Sequence, residues 1–237
     1  MNTIDYPYEK NAYTLYSNAL CPYAQRAVRA FKAAKVPYKL VEIDLKNKPE
    51  WFRLVNPQFK VPVLRTPDGS LLIESLVVAE FIAEQFPQTH LLPATALERA
   101  QLRLFIEIFS SRFSPFVYRT LMASSKDEQE SHKESLLAGV REISKELERQ
   151  WERPSGQGGP FWSNGKFGFA EIATASFVGL LVPLGHYRSV VVPKTQDYAG
   201  FNRWAEAISK DPLFTETKVE DNALNEAYKK FIAEEKQ

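Results

Sequence analysis

The order of strand and helix signals over the first 86 residues constrains this fold more than any other feature. Residues 12–17 (AYTLYS) are β-branched and aromatic, as a strand requires. After Asn18-Ala19-Leu20-Cys21-Pro22, a helical stretch runs to about Lys35, with Ala24, Ala27, Val28 and Phe31 at the i, i+3, i+4, i+7 spacing of one face. Pro22 suits a first helical turn, because its missing N–H would have found no intrahelical acceptor. Residues 38–45 (YKLVEIDL) read as a second strand and complete a βαβ unit, whose crossover is expected to be right-handed. Val61-Pro62-Val63-Leu64 and Leu71-Leu72-Ile73 flank Thr66-Pro67-Asp68-Gly69, a hairpin signal. Glu74-Ser75 then introduces an apolar helix from Leu76 to about Phe86. A four-stranded mixed sheet flanked by helices satisfies the order β-α-β, β-β-α.

Residues 87–93 (PQTHLLP) punctuate the chain, and beyond them no alternating strand pattern stands out. Residues 97–122 and 126–151 read as long helices. In the second, Leu136, Val140, Ile143, Leu147 and Trp151 form an apolar stripe, with Glu142/Lys145 and Glu146/Arg149 as i,i+3 pairs on its charged faces. The loop 154–160 (PSGQGGP) ends it, and shorter helices are expected near 169–183, 199–210 and 215–234. The expected organisation is an α/β domain over residues 1–91 and an all-helical domain over residues 97–237.

Composition narrows the function classes. With 30 Lys+Arg against 29 Asp+Glu in 237 residues, the net charge of +1 gives no reason to expect nucleic acid or an anionic membrane as partner. The N-terminal residues MNTIDYPYEK lack a secretory pattern, and the longest apolar run, around 177–184, is shorter than the roughly 18 residues of a membrane span. One cysteine excludes an intrachain disulfide, and three His beside it argue against a structural zinc site, so no metal is expected. The expectation is a soluble, cytoplasmic protein.

That cysteine, Cys21, falls where the first strand meets the first helix, at the expected N-cap with Pro22 at the first helical position. The free N–H groups of Tyr23 and Ala24 would point toward its sulfur, and the helix dipole adds partial positive charge. Such placement favours a thiolate, with Arg26 and Arg29 as further candidates to support it. The competing reading, a small buried hydrophobe, fits an arbitrary cysteine better than one placed before Pro at a βα junction.

Cys21-Pro22-Tyr23-Ala24 resembles the active-site turn of glutaredoxin-like proteins, with Ala where a dithiol member carries a second Cys. Residues 45–52 (LKNKPEWF), Val61-Pro62-Val63-Leu64 and Glu74-Ser75 fall in the order and spacing of omega-class glutathione transferases. The resemblance spans nearly the whole chain, by specific motifs in the first domain and mainly by architecture in the second. It implies the glutathione transferase fold, a thioredoxin-like domain followed by an all-helical one, with glutathione as co-substrate and no tightly bound cofactor.

It also implies roles. Cys21 would be the catalytic nucleophile, and Tyr23 would frame the site with its backbone and ring. Val61, before a cis Pro62, would pair strand-like with the cysteinyl part of glutathione. Ser75 would hold the γ-glutamyl carboxylate, Glu74 the neighbouring ammonium and Lys48 the glycyl carboxylate. Taken singly, Ser75 also reads as an ordinary N-cap, and Glu74 and Lys48 as solvated charges. With no second cysteine to resolve a mixed disulfide, the mechanism would be monothiol, a second glutathione releasing the first.

A hydrophobic small molecule or glutathionylated acceptor is expected between Cys21 and the helical domain, with Phe113 and Trp204 as candidate pocket residues. Most aromatics there, Phe105 and Phe109 among them, read as core. Gly168 stands where many glutathione transferases carry a Ser or Thr cap, so only the Glu171 half of a capping box is expected. The leading reading is a glutathione-dependent thiol transferase or reductase, of the kind that deglutathionylates or reduces dehydroascorbate. Glutathione conjugation and a non-catalytic carrier of hydrophobic ligands are the alternatives. A membrane-inserting relative, as among chloride intracellular channel proteins, is disfavoured by the short apolar runs. The resemblance further implies a homodimer.

Overall fold

The structure, a computed structural model, describes residues 6–163 and 165–232. The chain divides into two compact units, residues 1–91 and 92–237. The first carries β1 (Thr14–Ser17), α1 (Ala24–Ala34), β2 (Lys39–Glu42), α2 (Phe52–Val55), β3 (Val63–Arg65), β4 (Leu71–Leu72) and α3 (Ser75–Gln85). The sheet order is β2-β1-β3-β4: β1 pairs parallel with β2 and antiparallel with β3, and β3 pairs antiparallel with β4. This is the mixed four-stranded sheet that the sequence order requires. The strands are shorter than their apolar runs, and α2 lies in a stretch that sequence periodicity left unassigned.

Alternation sorts the side chains. Tyr16 aligns with Val41 and Val63 across the sheet. Tyr16 and Val63 join Ala24, Ile43, Phe52, Val55 and Val61 in one buried cluster, against which Cys21, Leu45, Trp51 and Phe59 pack. Helix α1 lies against α3, and Ala27 and Ala30 on the first and Ala79 and Ala83 on the second are buried. Lys35 closes α1 in the left-handed conformation, its N–H donating to the Lys32 and Phe31 carbonyls.

The second unit is helical: α4 (Ala96–Arg112), α5 (Ser114–Met122), α6 (Lys126–Trp151), α7 (Phe169–Gly179), α8 (Leu181–Arg188), α9 (Ala199–Lys210), α10 (Pro212–Thr215) and α11 (Asp221–Tyr228). The single helix expected over 97–122 is two. Pro115 in the first turn of α5 has no N–H to extend α4, and the chain turns at Phe113. The stretch expected as one helix over 215–234 reduces to α11 and a short 3-10 turn, and its last two residues lie outside the described ones. Thr95 and Glu98 form a full capping box on α4, and Ser125 caps α6.

In α6, Leu136, Val140, Ile143 and Leu147 are buried as the stripe requires, and Trp151 is half-buried. Arg149 pairs with Glu146 as expected, but Glu142 meets Arg112 of α4 at 3.3 Å rather than Lys145, because tertiary packing brings α4 beside it. Helices α7 and α8 together span Phe169–Arg188, 20 residues whose most apolar 18-residue window has a mean hydropathy of 1.4, long and apolar enough by that measure to cross a membrane. The run of 177–184 taken alone understates this segment. Two thirds of its most apolar window is buried inside the protein, as in the core helix of a globular unit.

Phe113 and Trp204 are fully buried in the helical unit. The indole of Trp204 sits edge-on to Phe105, Phe109 and Phe201, and Phe113 lies 4.8 Å from Phe109 by ring centroid. Both rings are core, packed by the same helical spacing that makes most aromatics core, and neither presents a face for an acceptor.

Candidate functional site

The turn that presents Cys21 is built by side chains on either side of it. Asn18 donates from Nδ2 to the Ile43 carbonyl at 2.9 Å, tying the end of β1 to the end of β2, while its Oδ1 accepts the Leu20 N–H at 3.0 Å. Gln25 reaches back to the Ala19 carbonyl at 2.8 Å. The Cys21 carbonyl accepts the Gln25 N–H at 3.1 Å, so the helical hydrogen-bond ladder begins at Cys21, although the regular helix starts at Ala24 with Tyr23 as its formal cap. Asn18 and Gln25 carry no chemistry in their spacing. The tendency of Asn to close a turn two residues on is the signal that could have found the first of them.

Cys21 is half-buried, and its sulfur meets the backbone N–H groups of Ala24 and Tyr23. Burial pushes its thiol up from the ordinary value, outweighing those two donors and the nearby charges of Arg26 and Lys48, all of which pull it down. The expectation of a thiolate-favouring site therefore needs correction. The converging amides and cations are present, but desolvation of a partly sequestered sulfur is the larger effect.

A cavity of about 480 Å³ opens beside the sulfur. Cys21, Tyr23, Lys48, Val61, Pro62, Glu74 and Ser75, the catalytic and glutathione-binding candidates from sequence, all line it, and the acceptor-pocket candidates Phe113 and Trp204 do not. Leu45, Asn56, Gln58 and Lys60, which sequence reasoning did not assign, line it too. The Val61–Pro62 peptide is cis. Glu74, exposed at the mouth, holds φ at +68°, a conformation that costs a side-chain-bearing residue about 1–3 kcal/mol and persists only where its surroundings impose it. Its carbonyl accepts the Val78 N–H and so starts α3, with buried Ser75 as the first helical residue. Two helix N-termini, those of α1 and α3, thus open on one cavity.

Lys48 departs from its expected freedom: its ammonium donates to the Phe59 carbonyl at 2.8 Å and lies 5.4 Å from the centre of the Phe59 ring. Phe59 itself has φ +60°, with its N–H on the Asn56 carbonyl. The buried Asn56 side chain accepts the Gln58 N–H and donates to the Lys60 carbonyl at 2.8 Å, fixing the loop that carries Lys60 and the Phe59 carbonyl to which Lys48 donates. No group of three or more His, Cys, Asp or Glu that could hold a metal occurs among the described residues.

A mixed β2-β1-β3-β4 sheet with a cis-proline before β3, in a chain whose second unit is helical, is the architecture of glutathione transferases. Residues 15–90 match the family model for the glutathione S-transferase N-terminal domain. The chain is 35% identical over 130 residues to glutathione S-transferase omega-1 of Rattus norvegicus, covering 55% of this chain and 54% of that protein. It thus spans about half the length of that relative. A probable cytosolic glutathione S-transferase of Oryza sativa, DHAR1, is 28% identical over 200 residues, 84% of each chain. The crystal structure of glutathione transferase Omega 1C from Trametes versicolor superposes with a TM-score of 0.74 at 28% identity, covering 92% of this chain and 94% of that one. The chain has the glutathione transferase fold, and its similarity is to omega-like members.

Proposed function

We propose that this protein is an omega-like, cysteine-type glutathione transferase that acts as a thiol transferase or reductase. The observation that carries the reading is the position of the chain's single cysteine. Its sulfur faces two backbone N–H groups on the wall of a cavity whose other residues match the charged points of glutathione. Ser75 and the α3 N-terminus suit the γ-glutamyl carboxylate, Glu74 the ammonium, the Val61 backbone the cysteinyl peptide, and Lys48 with Lys60 the glycyl carboxylate.

The chemistry is two successive exchanges. The Cys21 thiolate attacks the glutathione sulfur of a mixed disulfide, forming a Cys21–glutathione disulfide and releasing the acceptor as a thiolate. A second glutathione thiolate then attacks that adduct, releasing oxidised glutathione and restoring the Cys21 thiolate. No second cysteine exists to resolve the adduct, so free glutathione is required. Exposed Leu20 and Tyr23 beside Cys21 suit an apolar acceptor.

The protein mixed with oxidised glutathione is expected to carry one glutathione on Cys21 by mass spectrometry, lost on adding reduced glutathione. Absence of the adduct overturns the mechanism. A cytoplasmic homodimer belongs to the same reading. Val77 on α3 and Leu97 and Leu104 on one face of α4 are large, apolar and exposed, as residues of a subunit contact are. Light scattering that reports a monomer refutes the dimer.

A further inference from the structure

Ser75 is 7% exposed, yet its hydroxyl is only half used. Arg26 of α1 donates Nη1–H to Ser75 Oγ at 3.0 Å. A guanidinium has donors and no acceptor, so this contact fixes Ser75 Oγ as the acceptor. Among the described residues, no protein acceptor takes the Ser75 hydroxyl hydrogen. A buried hydroxyl with an unused donor is uncommon, and the open side of Ser75 is the cavity that it lines.

Arg26 is itself 4% exposed, with its guanidinium 5.4 Å from the centre of the Tyr23 ring. Burial holds its pKa down to about 10, so it stays cationic at neutral pH. The same charge acts on the sulfur of Cys21, five residues earlier and just before α1.

We propose that Arg26 is a positioning residue for the carboxylate end of the ligand: by occupying the acceptor side of Ser75 Oγ it turns the hydroxyl hydrogen into the cavity, where an incoming carboxylate meets a donor already aimed. The inference rests on the glutathione reading above and assigns to it a residue that does not line the cavity. Charge on the guanidinium also polarises the Ser75 O–H, strengthening its bond to an anion. A Lys at this position keeps the charge but not the planar fork, so it preserves only part of the effect.

The test is a double-mutant cycle on the full chain, read as the dissociation constant of S-methylglutathione, an analogue whose sulfur cannot form a disulfide. Ser75→Ala and Arg26→Met are each expected to weaken binding about tenfold, as loss of one hydrogen bond to a charged group does. The combined variant is expected to bind no more weakly than Ser75→Ala alone, because Arg26 acts through that hydroxyl. Arg26→Lys is expected to recover part of the loss, and it replaces Arg26→Met in the cycle if the latter does not fold. A combined variant about tenfold weaker than Ser75→Ala overturns the proposal and leaves the glutathione reading standing. Wild-type protein that binds no S-methylglutathione overturns both.

Discussion

Replacing Glu171 by Ala would strip the acceptor from three buried N–H groups at once. The carboxylate is fully buried; Oε1 accepts the Trp162 N–H at 2.9 Å and the Trp204 Nε1–H at 2.8 Å, and Oε2 accepts the Gly168 N–H at 2.9 Å. The last bond is the surviving half of the α7 capping box, since Gly168 has no side chain to return it. A buried donor left without a partner costs about 1–3 kcal/mol, so three cost about 3–9 kcal/mol before the cavity is counted. Set against a typical domain stability of roughly 5–15 kcal/mol, Glu171→Ala is expected to lose at least about 4 kcal/mol or to fail to accumulate folded.

Glu171→Gln keeps the volume and the oxygen shared by Trp162 and Trp204, but its NH₂ meets the Gly168 N–H donor to donor, a loss of about 1–3 kcal/mol. Urea unfolding followed by tryptophan fluorescence reads both, because the Trp204 indole donates to this carboxyl group and Trp162 meets it through its backbone N–H. An Ala variant within about 1 kcal/mol of wild type, or no weaker than the Gln variant, refutes the reasoning. The pH dependence has a defined sign. Burial raises the Glu171 pKa, so the folded chain holds that proton more tightly than the unfolded one. The associated stability is fully present below the ordinary carboxylate value and is lost as pH rises through the raised folded value. The Gln variant lacks that slope.

Alkylation of Cys21 by iodoacetamide in the absence of glutathione is expected to rise with pH and to reach half its maximum above the ordinary thiol range, because burial raises the thiol. A midpoint near neutrality refutes the dominance of desolvation. A Cβ added at Gly139 of α6 would stand 2.2 Å from the Arg112 carbonyl oxygen of α4, a backbone atom that cannot swing aside. Gly139→Ala is therefore expected to lose about 1–3 kcal/mol in thermal or urea unfolding despite the better helix propensity of Ala, and an unchanged midpoint refutes that close approach.

Local chemistry alone made the first unit legible. Alternating apolar residues, the Asp68-Gly69 turn and the Pro22 helix start are short-range signals, and they suffice for the order of strands and helices apart from the short α2. Seven of the eleven cavity-lining residues were legible, Cys21 from its place before Pro22 and the others through the resemblance to omega-class glutathione transferases, while Leu45, Asn56, Gln58 and Lys60 were not. What the sequence could not settle depends on groups brought together from distant positions. Whether Cys21 is ionised depends on how far the fold desolvates it against the amides and cations it meets. Lys48 finds its acceptor on Phe59, eleven residues on, only because Asn56 folds that loop into a left-handed turn. Trp204 and Phe113 look alike as pocket walls or core rings until packing buries them, and Arg26 reaches Ser75 only because α1 lies on α3. Periodicity records which face of an element is apolar. Which polar groups lose their water is decided by the surfaces that close over them.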